Sequence, residues 1–222
     1  MHRDTVLIFA RAPRLGAVKR RLARGIGAMA ALRFYRAQLA AVARAVVRGA
    51  RWDVRLAITP PSARARWPLG LPWLPQGLGD LGARLDRTTR AHRGRVVVIG
   101  SDIPGITAED IGAAFRALGR ADAVFGPAED GGYWLVGLSP RRPARPFAQV
   151  RWSTEHALAD TLANFVGRRI ALLRTLRDVD TAEDLAALAA APRALAGLPR
   201  LRVSRPAGKK DARKTQRKRG RG

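Results

Sequence analysis

The sequence predicts an α/β fold with a mostly parallel central sheet and helices on both faces. Three observations carry this. Short β-branched runs alternate with longer helical patterns through most of the chain, as strand–helix–strand units require. The run Val96-Val-Val-Ile-Gly100 is apolar on both faces, which suits a central strand buried between two helical layers. That run ends in Ser101-Asp102-Ile103-Pro104, placing polar groups at the carboxyl edge of the sheet, where open α/β folds bind ligands.

Taken in order, residues 5–10 read as the first strand, followed by a Pro/Gly loop over 11–16 and a basic helical start over 18–22. Leu32, Tyr35, Leu39, Val42 and Val46 share one helical face, which gives a long amphipathic helix. Residues 54–58 form the second strand, and the Pro/Gly/Trp-rich stretch 60–78 reads as the longest irregular loop. A helix over 79–90 leads to the strand at 96–99. Thr107-Ala-Glu-Asp110 is a capping box opening a helix to residue 118. Strands over 123–126 and 133–138 flank the turn Glu129-Asp-Gly-Gly132, and Arg141–Pro146 is a loop. A helix starting at Ser153-Thr-Glu155 reaches residue 166, a short strand covers 170–173, and Asp180-Thr-Ala-Glu183 caps a last helix to residue 190. There are no internal repeats.

Composition narrows the chemistry. The 222 residues contain no cysteine, which excludes disulfides, a thiolate nucleophile and Cys-ligated zinc, and the three histidines lack ligand spacing. No apolar stretch approaches the roughly 20 residues of a membrane span, and residues 5–10 are too short for a signal-peptide core. A soluble cytoplasmic protein is the expectation. The net charge of +25 is unevenly distributed: residues 201–222 hold ten Lys and Arg against Asp211 alone. Residues 206–222 are therefore expected to be disordered. Such a tail would meet nucleic acid through phosphate charge alone, or serve simply as a solvated extension. Lys19 is the only lysine among residues 1–208. In so Arg-biased a chain it is either a chance retention or a site that needs a compact ammonium.

Four segments carry chemistry. In the first, Phe9–Leu22, a strand runs into a loop and then a basic helix start. Arg11, Arg14, Gly16, Lys19 and Arg20, with exposed N–H groups, would cradle a di- or triphosphate. Basic residues there oppose the helix dipole unless an anion binds. It is neither a Walker A loop nor a GxGxxG fingerprint. In the second, Gln76-Gly-Leu-Gly-Asp-Leu-Gly82, Gly79 and its neighbours permit close backbone approach. Gln76 offers an amide for a nucleobase edge, while the plainer reading makes Asp80 a helix cap. The third, Gly126-Pro-Ala-Glu-Asp-Gly-Gly-Tyr133, is either a plain hairpin turn at Asp130-Gly131 or an acceptor or sugar site. In the latter, Glu129, Asp130, Gly131 and Gly132 line the site and Tyr133 or Trp134 offers a stacking face. The fourth is Asp178-Val-Asp180, with Asp180 a helix N-cap, or with Asp178 or Asp180 a second metal ligand. Asp102 divides likewise between a turn cap and a hard oxygen ligand for Mg²⁺ or Mn²⁺.

These segments occur together in an order that resembles the glycosyltransferase-A-like family that includes proposed arsenosugar-biosynthesis glycosyltransferases. More distantly, the chain is similar to molybdenum-cofactor guanylyltransferase and 2-phospho-lactate guanylyltransferase. The matching pieces are Ala12-Pro-Arg-Leu-Gly-Ala-Val-Lys19, Gln76–Gly82, Gly100-Ser-Asp-Ile-Pro104, Gly126–Tyr133, Trp152-Ser-Thr154 and Asp178-Val-Asp-Thr-Ala-Glu-Asp-Leu185. They span residues 5–190. Where the family usually shows Lys-Thr-Arg, this chain has Lys19-Arg20-Arg21, and a Thr hydroxyl is absent.

The resemblance implies a Rossmann-like glycosyltransferase-A fold over residues 1–198, a nucleotide-diphospho-sugar transferase domain, with 199–222 as the basic tail. It implies phosphate contacts from Arg11, Arg14 and Lys19, and a base or ribose near Gln76 and Asp80. Asp102 would act in metal binding, with Mg²⁺ or Mn²⁺ as cofactor, and Asp130 would face a small-molecule acceptor. Lys19, Asp102 and Asp130 are the expected catalytic residues, with Asp180 as a further metal ligand. The expected activity is glycosyl transfer from a nucleotide-sugar. Nucleotidyl transfer from a nucleoside triphosphate is the alternative, and a non-catalytic nucleotide-binding protein whose tail attracts nucleic acid is a third reading. The sequence leaves the oligomeric state open.

Overall fold

The computed structural model describes residues 3–48, 51–61 and 65–190. The basic tail and the expected domain boundary at residue 198 lie outside these. Seven strands form one sheet in the order β3-β2-β1-β4-β6-β5-β7. β1 (Thr5–Arg11) pairs in parallel with β2 (Asp53–Thr59) and with β4 (Val96–Gly100). β3 (Trp73–Pro75) extends the β2 side, also in parallel. β6 (Tyr133–Leu138) is antiparallel to both β4 and β5 (Ala123–Pro127), and β7 (Ile170–Leu172) returns in parallel beside β5. The expected α/β architecture is thus present, with one reversed strand.

The alternation of side chains along the central strands builds two cores. Val6, Ile8, Val97 and Ile99 face α2 (Ala28–Val47) and α4 (Ala108–Ala117), packing on Leu32, Tyr35, Leu39, Ile111 and Phe115. Leu7, Val96, Val98 and Phe125 face the opposite layer, formed by α3 (Leu81–Arg90), α5 (Ala157–Ala163) and the 147–152 segment, through Leu85, Phe147 and Phe165. This explains why β4 had to be apolar on both faces. A third cluster seats α1 (Arg20–Ile26) and α6 (Ala182–Ala190) against α2 through Leu22, Phe34, Val179 and Leu185.

Several local expectations shift. The basic helix start and the amphipathic helix are separate elements, split at Gly27, whose φ of 84° no helix accommodates. The stretch 60–78 is not wholly irregular: a 3₁₀ turn, Pro68–Gly70, precedes β3 on the sheet edge. The helix expected from Ser153 begins only at Ala157, because Ser153 sits at φ 62° and starts a turn instead. Because β1, β2, β4, β5 and β7 run in parallel, the segments that follow them all emerge at one sheet edge, where the turn into β6 also lies.

Candidate active site

Lys19 is the centre of this edge. The chain leaves β1 with the Ala12 amide donating to Thr59 O at 2.8 Å, turns at Gly16 (φ 72°), and reaches Lys19 at the N-cap of α1. Lys19 is left-handed, at φ 47° and ψ 48°, a conformation that costs a side-chain-bearing residue about 1–2 kcal/mol. Its side chain is only 4% exposed, and Nζ donates to Asp102 Oδ2 at 3.1 Å and Asp180 Oδ1 at 2.8 Å. Burial alone would lower the ammonium's pKa, but the two carboxylates outweigh it and the pKa lies above the ordinary lysine value. A strained backbone that aims a buried charge at two acids marks a built site.

Each acid arrives from a different segment. Asp102 follows β4 directly, and its carboxylate points across to Lys19 in place of capping the turn before Pro104. Asp180 lies on a stretch tied to the sheet: Leu173 N donates to Phe125 O, Leu176 N to Pro127 O, and Glu129 N to Leu176 O. Asp180 is not the cap of α6. Thr181 Oγ1 accepts from Asp184 N at 3.2 Å, and Asp184 Oδ2 accepts from Thr181 N at 2.9 Å, a reciprocal capping pair one residue later. The helix end is therefore satisfied without Asp180, whose carboxylate is left to meet Lys19 and, at 3.5 Å, Arg21. Asp178 joins the same acidic group. Burial first, then the carboxylates of Asp180 and Asp130, push it up to about 6.

The remaining expected residues fall in several places. Asp130 is exposed on the turn between β5 and β6, with Oδ1 accepting from Gly132 N at 2.9 Å. Gly131 is required there: its φ is 82°, and an added Cβ would collide with the backbone of Glu155. Glu129 is exposed, 3.8 Å from Arg177 Nε. Tyr133 is half-buried, edge-on to Phe125 and Trp152, which leaves little ring for stacking. Trp134 is a correction: at 1% exposed, with Nε1 donating to Arg174 O, it belongs to the core.

Gln76 is 3% exposed. Its Nε2 donates to Ala57 O at 2.8 Å and its Oε1 accepts from Arg84 at 3.1 Å. The amide is spent inside the protein, where it ties the 76–80 segment to the ends of β1 and β2, and this replaces the expected nucleobase contact. Asp80 caps α3 by accepting from Ala83 N at 2.7 Å, and Gly79, at φ 102°, turns the chain before it. Arg20 opens α1 on the exposed side, and Arg14 lies on the outer side of the loop. Arg84 has its pKa lowered by burial and then by the positive charge of Arg11, and its guanidinium donates to Asp80 O and Gln76 Oε1.

Sequence reasoning read Tyr35 as one apolar position on a helix stripe. In the structure its hydroxyl donates to Arg11 O at 2.9 Å, accepts from Arg11 N at 2.8 Å and meets Ser101 Oγ at 3.2 Å. It locks the end of β1 to the end of β4. The available signal was that a buried tyrosine needs a partner for its hydroxyl. Arg84 was also missed.

Among the described residues no group of three or more His, Cys, Asp or Glu side chains forms a metal-holding cluster. Asp102 and Asp180 nevertheless converge on one cation, the Lys19 ammonium. Two carboxylates are what Mg²⁺ commonly takes from a protein when substrate phosphates complete its shell, so the donor set fits a divalent ion held jointly with a substrate.

Comparison with known proteins gives this geometry its context. The bacterial family described as "Uncharacterized protein conserved in bacteria (DUF2064)" matches residues 42–154. No protein of the curated set matches the sequence. Among solved structures, a protein of Desulfovibrio desulfuricans G20, provisionally named a nucleotide-diphospho-sugar transferase, is 27% identical with a TM-score of 0.80, over 87% of this chain and 89% of that one. A 2-C-methyl-D-erythritol 4-phosphate cytidylyltransferase from Thermus thermophilus is 18% identical, TM-score 0.51, over 87% and 100%. Glucosyl-3-phosphoglycerate synthase from Mycobacterium tuberculosis, crystallised with Mn²⁺, uridine diphosphate and glucosyl-3-phosphoglycerate, is 10% identical, TM-score 0.52, over 84% and 75%. The last two share the fold.

Proposed function

The chain belongs to the DUF2064 family of conserved bacterial proteins, and on that premise we propose that it is a metal-dependent glycosyltransferase using a nucleotide-sugar donor. One observation carries the reading. The buried ammonium of Lys19, held between Asp102 and Asp180 beside the loop that follows β1, marks a position where a cation is stable at the ligand-binding edge of the sheet. The D. desulfuricans protein, similar over most of its length, supports the nucleotide-sugar class.

In this reading the transferase domain is residues 1–198, and 199–222 is an accessory basic segment. Asp102 and Asp180 would hold Mg²⁺ or Mn²⁺, which supplies charge neutralisation for a leaving diphosphate. Lys19, the cation those two carboxylates already hold, would add its charge to stabilising the developing phosphate. Tyr35 ties the end of β1 to Ser101, the residue before Asp102. An acceptor hydroxyl attacks the anomeric carbon, the bond to the nucleoside diphosphate breaks, and the hydroxyl proton passes to a carboxylate acting as general base. Asp130, exposed and pinned at Oδ1 by Gly132, would take that role.

The second reading is nucleotidyl transfer, in which a phosphate oxygen attacks the α-phosphorus and pyrophosphate leaves. The basic segment from Arg11 to Arg21 favours it, because it suits a longer phosphate chain. The arsenosugar and guanylyltransferase resemblances correspond to the two readings. A thermal-shift panel of nucleotide-sugars and nucleoside triphosphates, with and without Mn²⁺, separates them. Metal-dependent stabilisation by a nucleotide-sugar is expected, and by a triphosphate alone it would favour the second reading. If Asp102→Ala kept the response to metal, the assignment of Asp102 would be wrong.

A further inference from the structure

A cleft of about 720 Å³ opens behind the β1 loop, between that loop, α2 and the segment before the 3₁₀ turn. It is distinct from the Lys19 centre, and none of the described residues lining it is acidic. Its floor is apolar, from Leu32 and Leu39 of α2 and the half-buried Trp67, while Arg14, Arg36 and Arg66 bring three positive charges to its walls. Elsewhere among the described residues some arginines meet carboxylates, as Arg95 meets Asp4 and Arg174 meets Asp110. Among those same residues Arg36 has only Pro13 O, at 3.3 Å, a bond that ties α2 to the loop forming the cleft's near wall.

Three guanidinium groups around an apolar hollow raise the local positive potential and favour an anion there. The volume lies in the range of small-molecule sites. An apolar floor with an aromatic wall recognises a hydrocarbon or ring body, while guanidinium forks recognise phosphate or carboxylate. From this we propose that the cleft is a second ligand site, for an organic anion that carries a phosphate or carboxylate on an apolar or aromatic body. Arg14 then serves this site, through the outer wall of the loop whose inner end carries Lys19. Occupancy would brace Pro13 and Leu15 against α2, and with them the loop that leads to Lys19.

The test is calorimetric titration of the full chain with 1-naphthyl phosphate, alongside inorganic phosphate and 1-naphthol as charge-only and body-only probes. The aryl phosphate should bind at least about tenfold more tightly than either probe, since both halves of the site contribute. Arg36 and Arg66 are exposed, so Arg36→Gln/Arg66→Gln should fold normally, checked by its urea midpoint, and should weaken naphthyl phosphate by at least about tenfold. The paired Lys variant should retain part of the affinity. Asp102→Ala should leave binding intact, which separates this site from the nucleotide site. Unchanged affinity in the double Gln variant, inorganic phosphate binding as well as the aryl phosphate, or loss of binding in Asp102→Ala would each overturn the proposal.

Discussion

Replacing both Asp102 and Asp180 with Asn should destabilise the protein in a way that a further substitution, Lys19→Met, repairs. In the native protein the Lys19 side chain is 4% exposed and rests on two carboxylates that are themselves 45% and 36% exposed. Removing both negative charges strands a desolvated ammonium against neutral amides. Breaking a fully buried pair costs about 3–5 kcal/mol. Water reaches both carboxylates here, which screens part of the attraction, so the expected loss is about 1–3 kcal/mol. In urea this lowers the unfolding midpoint by about 1 M at ordinary slopes. Adding Lys19→Met removes the stranded charge and leaves a side chain of similar length on the same path, so the triple variant should recover most of the loss. Equilibrium urea unfolding of the parent, double and triple variants, followed by far-UV circular dichroism, decides it. A triple variant as unstable as the double would refute the reasoning, because the cost would then lie in lost packing or altered turns and not in an unpaired buried cation.

Two further outcomes follow from the same structure. Burial would raise the pKa of Asp110, but hydrogen bonds from Arg174 and Thr107 overcome it and hold the carboxyl below the ordinary carboxylate range. Its folded pKa thus lies below its unfolded one, so the stability it contributes is present above the unfolded pKa and is lost as pH falls through the folded one. Asp110→Asn should accordingly flatten the acid side of the stability–pH curve, measured as unfolding midpoint against pH. Gly131→Ala would need a left-handed alanine whose Cβ collides with Glu155. It should cost at least about 1 kcal/mol and should weaken acceptor binding through the displaced Asp130 turn more than nucleotide binding, as read by thermal shift with each ligand.

Much of the fold was legible because its signals are local. β4 announced itself by being apolar on both faces, and Thr107 and Asp110 form the capping box that their spacing predicted. Asp80 caps α3, as the plainer reading had it. The site was legible only as a set of segments. Lys19 stood out because it is the lone lysine in an arginine-rich body, yet its left-handed backbone and its two partners, 83 and 161 residues away, leave no trace in local sequence. Gln76 and Trp134 were misplaced for the same reason. A glutamine suited to reading a base and a tryptophan suited to stacking look the same in sequence when they are buried and bonded to carbonyls.

The sequence by itself determined the layers, the sheet edge and the acidic and basic segments that meet there, because hydrophobic period and turn chemistry act between near neighbours. Only the tertiary structure decided which charges face one another. Thr181 takes the helix cap and so releases Asp180, and the parallel ordering of β1 and β4 brings Asp102 beside Lys19. Electrostatic pairing is set by distance through space, and distance is fixed only once the strands have found their order.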